Sequence, residues 1–296
     1  MIMKMNDETK KAAEKMKQLL PKRVSDANKG DFGRVFLLGG SLGMTGSVCL
    51  SAEAALRSGA GLVTVGTVNS QRPIVAVKLT EAMTVGYDEA DGTFSGKDSS
   101  RMVEKINSSD VCAFGMGFSR GNGAKKTVFD IAMGAEKPLV IDADGINAVS
   151  ENIDILKRIK AGAVLTPHPG EMSRLKGVSI AVIQKNRSRI AEEFSRNYNV
   201  VVVLKGEKTV VAAPDGRIYI NPTGNCGMAT GGSGDVLSGI IASFIGQGME
   251  LYEAAVLSVY LHGRAGDIGA ERYTVFGLRA SDIAEALPAA IRELLD

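Results

Sequence analysis

The chain has 296 residues, 45% of them hydrophobic, and a formal net charge of +2 from 35 Lys plus Arg against 33 Asp plus Glu. That length and apolar content fill one large α/β domain or two small ones around a sizeable core. Near-balanced charge offers no field for nucleic acid or acidic membranes, 5% aromatic content without tryptophan argues against a base-stacking platform, and no run of 18 apolar residues reads as a membrane span. The Lys-rich amphipathic start, residues 1–20, has no signal-peptide core, so a cytoplasmic location is expected. Cys49, Cys112 and Cys226 stand far apart without metal-ligand spacing and read as reduced thiols.

Residues 34–41 predict a buried strand ending in a glycine turn, followed by a helix over 47–58 and a strand over 61–67. The same order recurs, with strands over 111–115, 138–141, 163–165 and 200–204, each leading into a polar loop. Continuously apolar strands of this kind predict a mostly parallel sheet covered by helices on both faces, with ligands gathering beyond the strands' carboxyl ends. Residues 208–213 and 217–220, joined through Asp215 and Gly216, predict an antiparallel hairpin at one edge. The last third reads as helical over 236–247, 251–269 and 280–295. No linker or internal repeat divides the chain, so one domain over 1–296 is expected, with 1–30 as a leading helical segment packed on it.

The densest chemical signal is the loop from Thr223 to Asp235, whose glycines lead into an apolar helical run. Glycines let backbone N–H groups face a ligand, and a helix N-terminus adds unpaired N–H groups and partial positive charge, so a phosphate is the expected guest. Asp235 then stands where it can take a proton from a hydroxyl about to receive a phosphoryl group. The alternative is that Ser233 caps the helix and Asp235 favours its dipole. His168, fixed between Pro167 and Pro169 at a strand end, suits ligand contact, whereas His262 reads as a partly buried structural histidine in an apolar helix. Asp142 and Asp144 follow a strand; if extended, they point to one side and can hold Mg²⁺ through water, or Asp144 and Asn147 form a turn and cap a helix. Glu171 either joins that metal or caps the following helix. Lys205, before Gly206, can meet a phosphate as a point charge. Neither a GxxxxGK[ST] loop nor a GxGxxG fingerprint follows a strand, so phosphate binding must use another architecture.

Lys29-Gly30-Asp31-Phe32-Gly33-Arg34-Val35, Gly39-Gly40-Ser41, Leu56-Arg57-Ser58-Gly59-Ala60-Gly61-Leu62-Val63-Thr64, Asp142-Ala143-Asp144-Gly145, Thr166-Pro167-His168-Pro169-Gly170-Glu171 and the loop over 227–235 run in order across nearly the whole chain. Together they resemble the ADP-dependent NAD(P)H-hydrate dehydratases. The resemblance implies a ribokinase-like three-layer α/β/α sandwich with a mostly parallel central sheet. It also implies ADP-dependent (or ATP-dependent) dehydration of (6S)-NADHX and (6S)-NADPHX to NADH and NADPH, with AMP and phosphate released and Mg²⁺ as cofactor. By motif, Asp235 is the base, and Gly232, Ser233 and Gly234 stabilise the phosphoryl group in flight. Ser47, Gly117, His168 and Asp235 contact the hydrated dinucleotide. Ser47 departs from the alanine common in the family, which puts that one contact in doubt. Lys205, Gly206, Glu207, Lys208 and Thr209 hold the AMP part, closed by Gly234. Residues 1–30 are too few for the epimerase module that many members carry, so a stand-alone dehydratase is expected, and the family suggests a homo-oligomer, a tetramer. The rival readings are a small-molecule kinase of the same fold, such as a hydroxyethylthiazole kinase, and a non-catalytic nucleotide-binding protein.

Overall fold

The computed structural model describes residues 7–296, so the first six residues of the leading segment lie outside the described residues. Eleven strands are present: β1 (Arg34–Gly39), β2 (Leu62–Val68), β3 (Met83–Tyr87), β4 (Glu89–Ala90), β5 (Thr93–Phe94), β6 (Val111–Met116), β7 (Leu139–Ile141), β8 (Ala163–Leu165), β9 (Val201–Leu204), β10 (Val210–Ala212) and β11 (Ile218–Ile220). Twelve α-helices accompany them: α1 (Asp7–Leu19), α2 (Thr45–Arg57), α3 (Arg72–Lys78), α4 (Ser99–Asn107), α5 (Asn122–Gly134), α6 (Ala143–Val149), α7 (Pro169–Lys176), α8 (Ile180–Lys185), α9 (Arg187–Tyr198), α10 (Ser233–Gly246), α11 (Leu251–Gly277) and α12 (Ala280–Leu295).

Nine strands form one sheet in the order β11-β10-β9-β8-β7-β6-β1-β2-β3. It is parallel from β9 to β3, and β10 and β11 add an antiparallel hairpin at the edge, as expected. Successive side chains of a strand face opposite sides, and here both sides are buried. Val35, Leu37, Val140, Val164, Val201 and Val203 enter a core covered by α1, α2, α3, α10, α11 and α12. Phe36, Leu38, Leu139, Ile141, Leu165, Val202 and Leu204 enter a second core under α4 to α9. The result is helix layer, sheet, helix layer. Every residue from Val236 to Ile245 of α10 is buried, which explains why its sequence is apolar all round.

Three elements differ from the sequence reading. Met83–Tyr87 is a strand although it is not a continuous apolar run, because it pairs only with β2 at the sheet edge and stays partly exposed. The helix expected over 251–269 runs on to Gly277, broken at Thr274 by a left-handed backbone (φ 65°, ψ 165°). Residues 142–147 are mainly the start of α6, not an extended loop. No helix among the described residues is long and apolar enough to cross a membrane.

What the fold positions is a row of loops at the carboxyl edge of β1, β6, β7, β8 and β9. Backbone bonds fasten each loop to its neighbour: Ser41 N donates to Gly117 O at 2.8 Å, Asp142 N to Phe114 O at 3.1 Å, Thr166 N to Ile141 O at 3.2 Å and Lys205 N to Pro167 O at 2.8 Å. Residues far apart in sequence are thereby brought together.

Candidate active site

Gly232, at φ 92°, is the residue before the first turn of α10, and no side chain caps that helix. Only glycine adopts this conformation without strain, and the open first turn leaves unpaired N–H groups for an anion. Ser233 is therefore the first helical residue and not the cap that one reading of the sequence made it; its Oγ lies 3.3 Å from His262 Nε2. Asp235 follows within the same turn. Burial above all, then the Asp142 carboxylate, pushes its carboxyl up to about 7, against the lowering effect of a hydrogen bond from the Ser47 hydroxyl and of the Lys205 ammonium. A carboxyl poised there exchanges protons at neutral pH, which a general base requires. Ser47 stands in the first turn of α2. Gly117 faces it: a Cβ on Gly117 would lie 2.8 Å from Met44 Cβ and 3.3 Å from Ser47 Cβ. Ser47, Gly117 and Asp235 thus share one corner.

Beneath lies a buried polar floor. Asp142, at 1% side-chain exposure, accepts from Lys205 Nζ (2.8 Å) and Thr166 Oγ1 (2.7 Å) on Oδ1 and from Ser238 Oγ (2.8 Å) on Oδ2. Lys205 Nζ is also 3.9 Å from Glu171 Oε2. Burial opposes the charge on Lys205, but Asp142 and Glu171 outweigh it and hold the ammonium above its usual range. Glu171 is pushed up to about 7, first by burial, with Lys205 pulling the other way and Asp142 adding to the rise.

This donor set does not fit a metal ion held by Asp142 and Glu171. Both Asp142 oxygens are taken, one by an ammonium, and Glu171 Oε2 accepts from His168 N at 2.8 Å as part of the cap of α7. Among the described residues no three His, Cys, Asp or Glu side chains cluster as ligands. Asp142 and Asp144 do not pair either, because the backbone turns into α6 at Ala143 (φ 48°). Asp144 accepts instead from Ser119 N (2.9 Å) and Asn147 Nδ2 (3.3 Å); it lies inside α6, which no side chain caps, so the turn-and-cap alternative read from the sequence does not form either.

A cleft of about 1030 Å³ opens beside the floor, lined by His168, by residues 205–209, by much of the glycine loop and by His262. His168 is the N-cap of α7, its Nδ1 accepting from Gly170 N at 2.9 Å and Glu171 N at 3.4 Å, while half its side chain stays exposed. Burial, then Lys205 and Arg174, lower its pKa. It shares the cleft with Lys205, Gly206, Glu207, Lys208 and Thr209, whereas Ser47, Gly117 and Asp235 do not line that cleft. Thr209 Oγ1 donates to Gly206 O at 3.0 Å and closes that turn.

Several contributors escaped the sequence reading. Ser238, within the run read only as an apolar helix, donates to Asp142. Arg187, at the start of α9, donates to Leu204 O (2.8 Å) and Lys205 O (3.3 Å) and so braces the turn after β9 from outside the cleft. Asp267 accepts from Gly224 N (3.1 Å) and Asn225 Nδ2 (3.0 Å), anchoring the glycine loop's start. Only Ser238 carries a local signal, its polarity within an apolar helix; Arg187 and Asp267 stand among other polar and charged residues.

Known proteins resemble this chain in sequence and fold. The NAD(P)H-hydrate dehydratase family profile matches residues 35–289. The chain is 44% identical over 276 residues to a bifunctional NAD(P)H-hydrate repair enzyme of Moorella thermoacetica, a match covering 93% of this chain and 52% of that protein. The chain thus spans about half the length of such bifunctional relatives. It is 38% identical over 268 residues to the ADP-dependent (S)-NAD(P)H-hydrate dehydratase of Neisseria meningitidis, covering 89% of this chain and 86% of that one. The crystal structure of the Bacillus subtilis ADP/ATP-dependent NAD(P)H-hydrate dehydratase, co-crystallized with ATP/Mg²⁺, matches with a TM-score of 0.83 and 31% identity over 95% of this chain and 97% of that one. The layered sheet is the ribokinase-like sandwich that the motifs implied. With the profile spanning most of the sequence and the glycine loop, Asp235 and the buried floor in one place, the chain belongs to the NAD(P)H-hydrate dehydratase family.

Proposed function

We propose that this protein dehydrates (6S)-NADHX and (6S)-NADPHX to NADH and NADPH, consuming ADP and releasing AMP and phosphate. The observation that carries the reading is Asp235: a carboxyl near neutrality, in the uncapped first turn of α10, hydrogen-bonded by Ser47. Asp235 takes the proton of the ring hydroxyl as that oxygen attacks the terminal phosphorus of ADP. The bond from this phosphorus to the bridging oxygen breaks, and AMP leaves. Open N–H groups of the first turn, with Gly232, Ser233 and Gly234, face the charge that develops on the transferring group. The ring nitrogen's lone pair then expels phosphate, and loss of a proton from the adjacent carbon restores the double bond. Phosphate leaves where hydroxide would not.

Lys205, Gly206, Glu207, Lys208 and Thr209 are assigned to the AMP part, with Gly234 at its phosphate end, and His168, Gly117 and Ser47 to the hydrated ring and its neighbourhood. The Neisseria and Bacillus relatives named for this reaction support the reading, because the chain covers most of their length. The test is to supply purified protein with NADHX, ADP and Mg²⁺. NADH and AMP are expected in equal amounts, and none without nucleotide. NADH formed equally fast without nucleotide, or phosphorylation of a thiazole alcohol in place of NADH formation, would overturn it.

A further inference from the structure

The glycine loop enters α10 without a side-chain cap, although Leu50 and Ala280 pack close to Gly232. Gly231 has no neighbour within 4 Å of where a Cβ would stand, and Gly232 is left-handed. Glycine-rich backbone costs more entropy to order than any other, yet a misplacement of about 1 Å in an active site costs on the order of 10²-fold in rate. Two side chains reach this turn from different helices, Ser51 buried and His262 partly buried at the cleft wall. From α11, His262 Nε2 lies 2.9 Å from Ser233 O. A carbonyl has no hydrogen to give, so Nε2 carries the proton and donates. From α2, Ser51 Oγ donates to Asp235 O at 2.8 Å.

We propose that His262 and Ser51 are positioning residues that clamp the Ser233 and Asp235 carbonyls from two sides and so fix the direction of the first-turn N–H groups and of the Asp235 carboxylate. The inference rests on the function proposed above for what those groups do, but not for how they are held. Burial above all pushes the imidazole down to about 4, with the Ser233 hydrogen bond pulling the other way and Lys205 adding to the fall, so His262 stays neutral and keeps donating across the physiological range. Lys205 is also the charged group that faces it across the cleft. Ser51 is buried in the α2–α10 contact, where its own carbonyl fills the space above Gly239, and so lies outside the cleft wall. A loss of activity on changing Ser51 therefore cannot come from lost ligand contact.

The experiment compares His262→Leu, His262→Gln and Ser51→Ala with the wild type by amide hydrogen exchange over residues 231–235, thermal melting, AMP binding and NADH formation from NADHX. In His262→Leu and Ser51→Ala, exchange in this segment is expected to quicken and kcat per folded molecule to fall, each at least about tenfold, with AMP affinity within about threefold. His262→Gln places an amide N–H near the same carbonyl and is expected to stay within about threefold of wild type in both readouts. Unchanged exchange and unchanged kcat in folded His262→Leu and Ser51→Ala would overturn the proposal, and so would a lowered melting temperature with unchanged kcat. If His262→Leu does not fold, Ser51→Ala carries the same two readouts. A wild type that makes no NADH would count against the proposed function, while exchange would still decide the clamp.

Discussion

Lys205 Nζ and Asp142 Oδ1 meet at 2.8 Å on the floor of the cleft, and this contact governs the charges above it. Asp142 is satisfied three times over, by Lys205, Thr166 and Ser238, as a buried carboxylate must be. The same pair acts on Asp235 in opposite senses, Asp142 raising its pKa and Lys205 lowering it. The floor is therefore a fixed ion pair beneath two carboxyls, Asp235 and Glu171, that both sit near neutrality.

Lys205→Met is expected to leave Asp142 buried without its cation. Removing one partner of a buried pair costs about 3–5 kcal/mol, and the lower end applies because Lys205 keeps some access to solvent. Urea unfolding at pH 7 measures the loss, and combining the change with Asp142→Asn should recover part of it. AMP binding should weaken in the single variant. A stability loss below about 0.5 kcal/mol would show that Thr166 and Ser238 suffice for Asp142.

Asp235→Asn separates chemistry from structure. The amide keeps the shape but takes no proton, so kcat should drop by at least about 10², with AMP affinity little changed. Stability should move the other way. A carboxyl whose folded pKa is raised penalises the fold once it ionises: the penalty is absent below its unfolded value, grows as pH rises, and is complete above about 7. Asp235→Asn should thus melt at or above wild type at pH 8, with the gap closing toward pH 4. If the variant retains more than about a tenth of wild-type kcat, the base lies elsewhere.

The rate itself should report the same group. With Asp235 active as the carboxylate, kcat/KM is expected to rise with pH through about 7 and then level. Ser47→Ala removes a hydrogen bond that lowers this pKa, so the rising limb should move to higher pH. Glu171 also titrates near 7, so Glu171→Gln is the control: it should leave the limb where it is. A limb that vanished in Glu171→Gln and ignored Ser47→Ala would assign it to Glu171.

The strands buried on both faces were legible because their apolar runs admit no other placement; the edge strand at 83–87 was not, since partial exposure lets its sequence stay mixed. The glycine loop running into a helix with Asp235 in its first turn was legible because that feature needs local sequence only. Asp142 announced itself as an acid at a strand end, but its partners lie 24, 63 and 96 residues away, at Thr166, Lys205 and Ser238, and local spacing cannot encode such contacts. That is why it read as a metal ligand. His262 was rightly read as partly buried, yet its hydrogen bond to Ser233, 29 residues earlier, links it to the loop only once α10 and α11 are packed.

Gly234 offers the sharpest contrast between stability and activity. It lies inside α10, where alanine is preferred over glycine by roughly 0.5–1 kcal/mol. An added Cβ, however, would stand 3.2 Å from Lys205 Nζ and 3.9 Å from Asp142 Oδ2, in the space between the helix start and the floor. The lysine end is the part able to move, so Gly234→Ala should fold and melt within a few degrees of wild type. The methyl would occupy the approach to the first-turn N–H groups and displace the ammonium from its place beside Asp142. Activity with ADP should accordingly fall at least about tenfold, a loss of about 1.4 kcal/mol in transition-state stabilisation. Melting curves and kcat/KM measured on one preparation check both halves. Full activity with a raised melting temperature would mean that neither the phosphoryl group nor Lys205 needs the space that glycine leaves open.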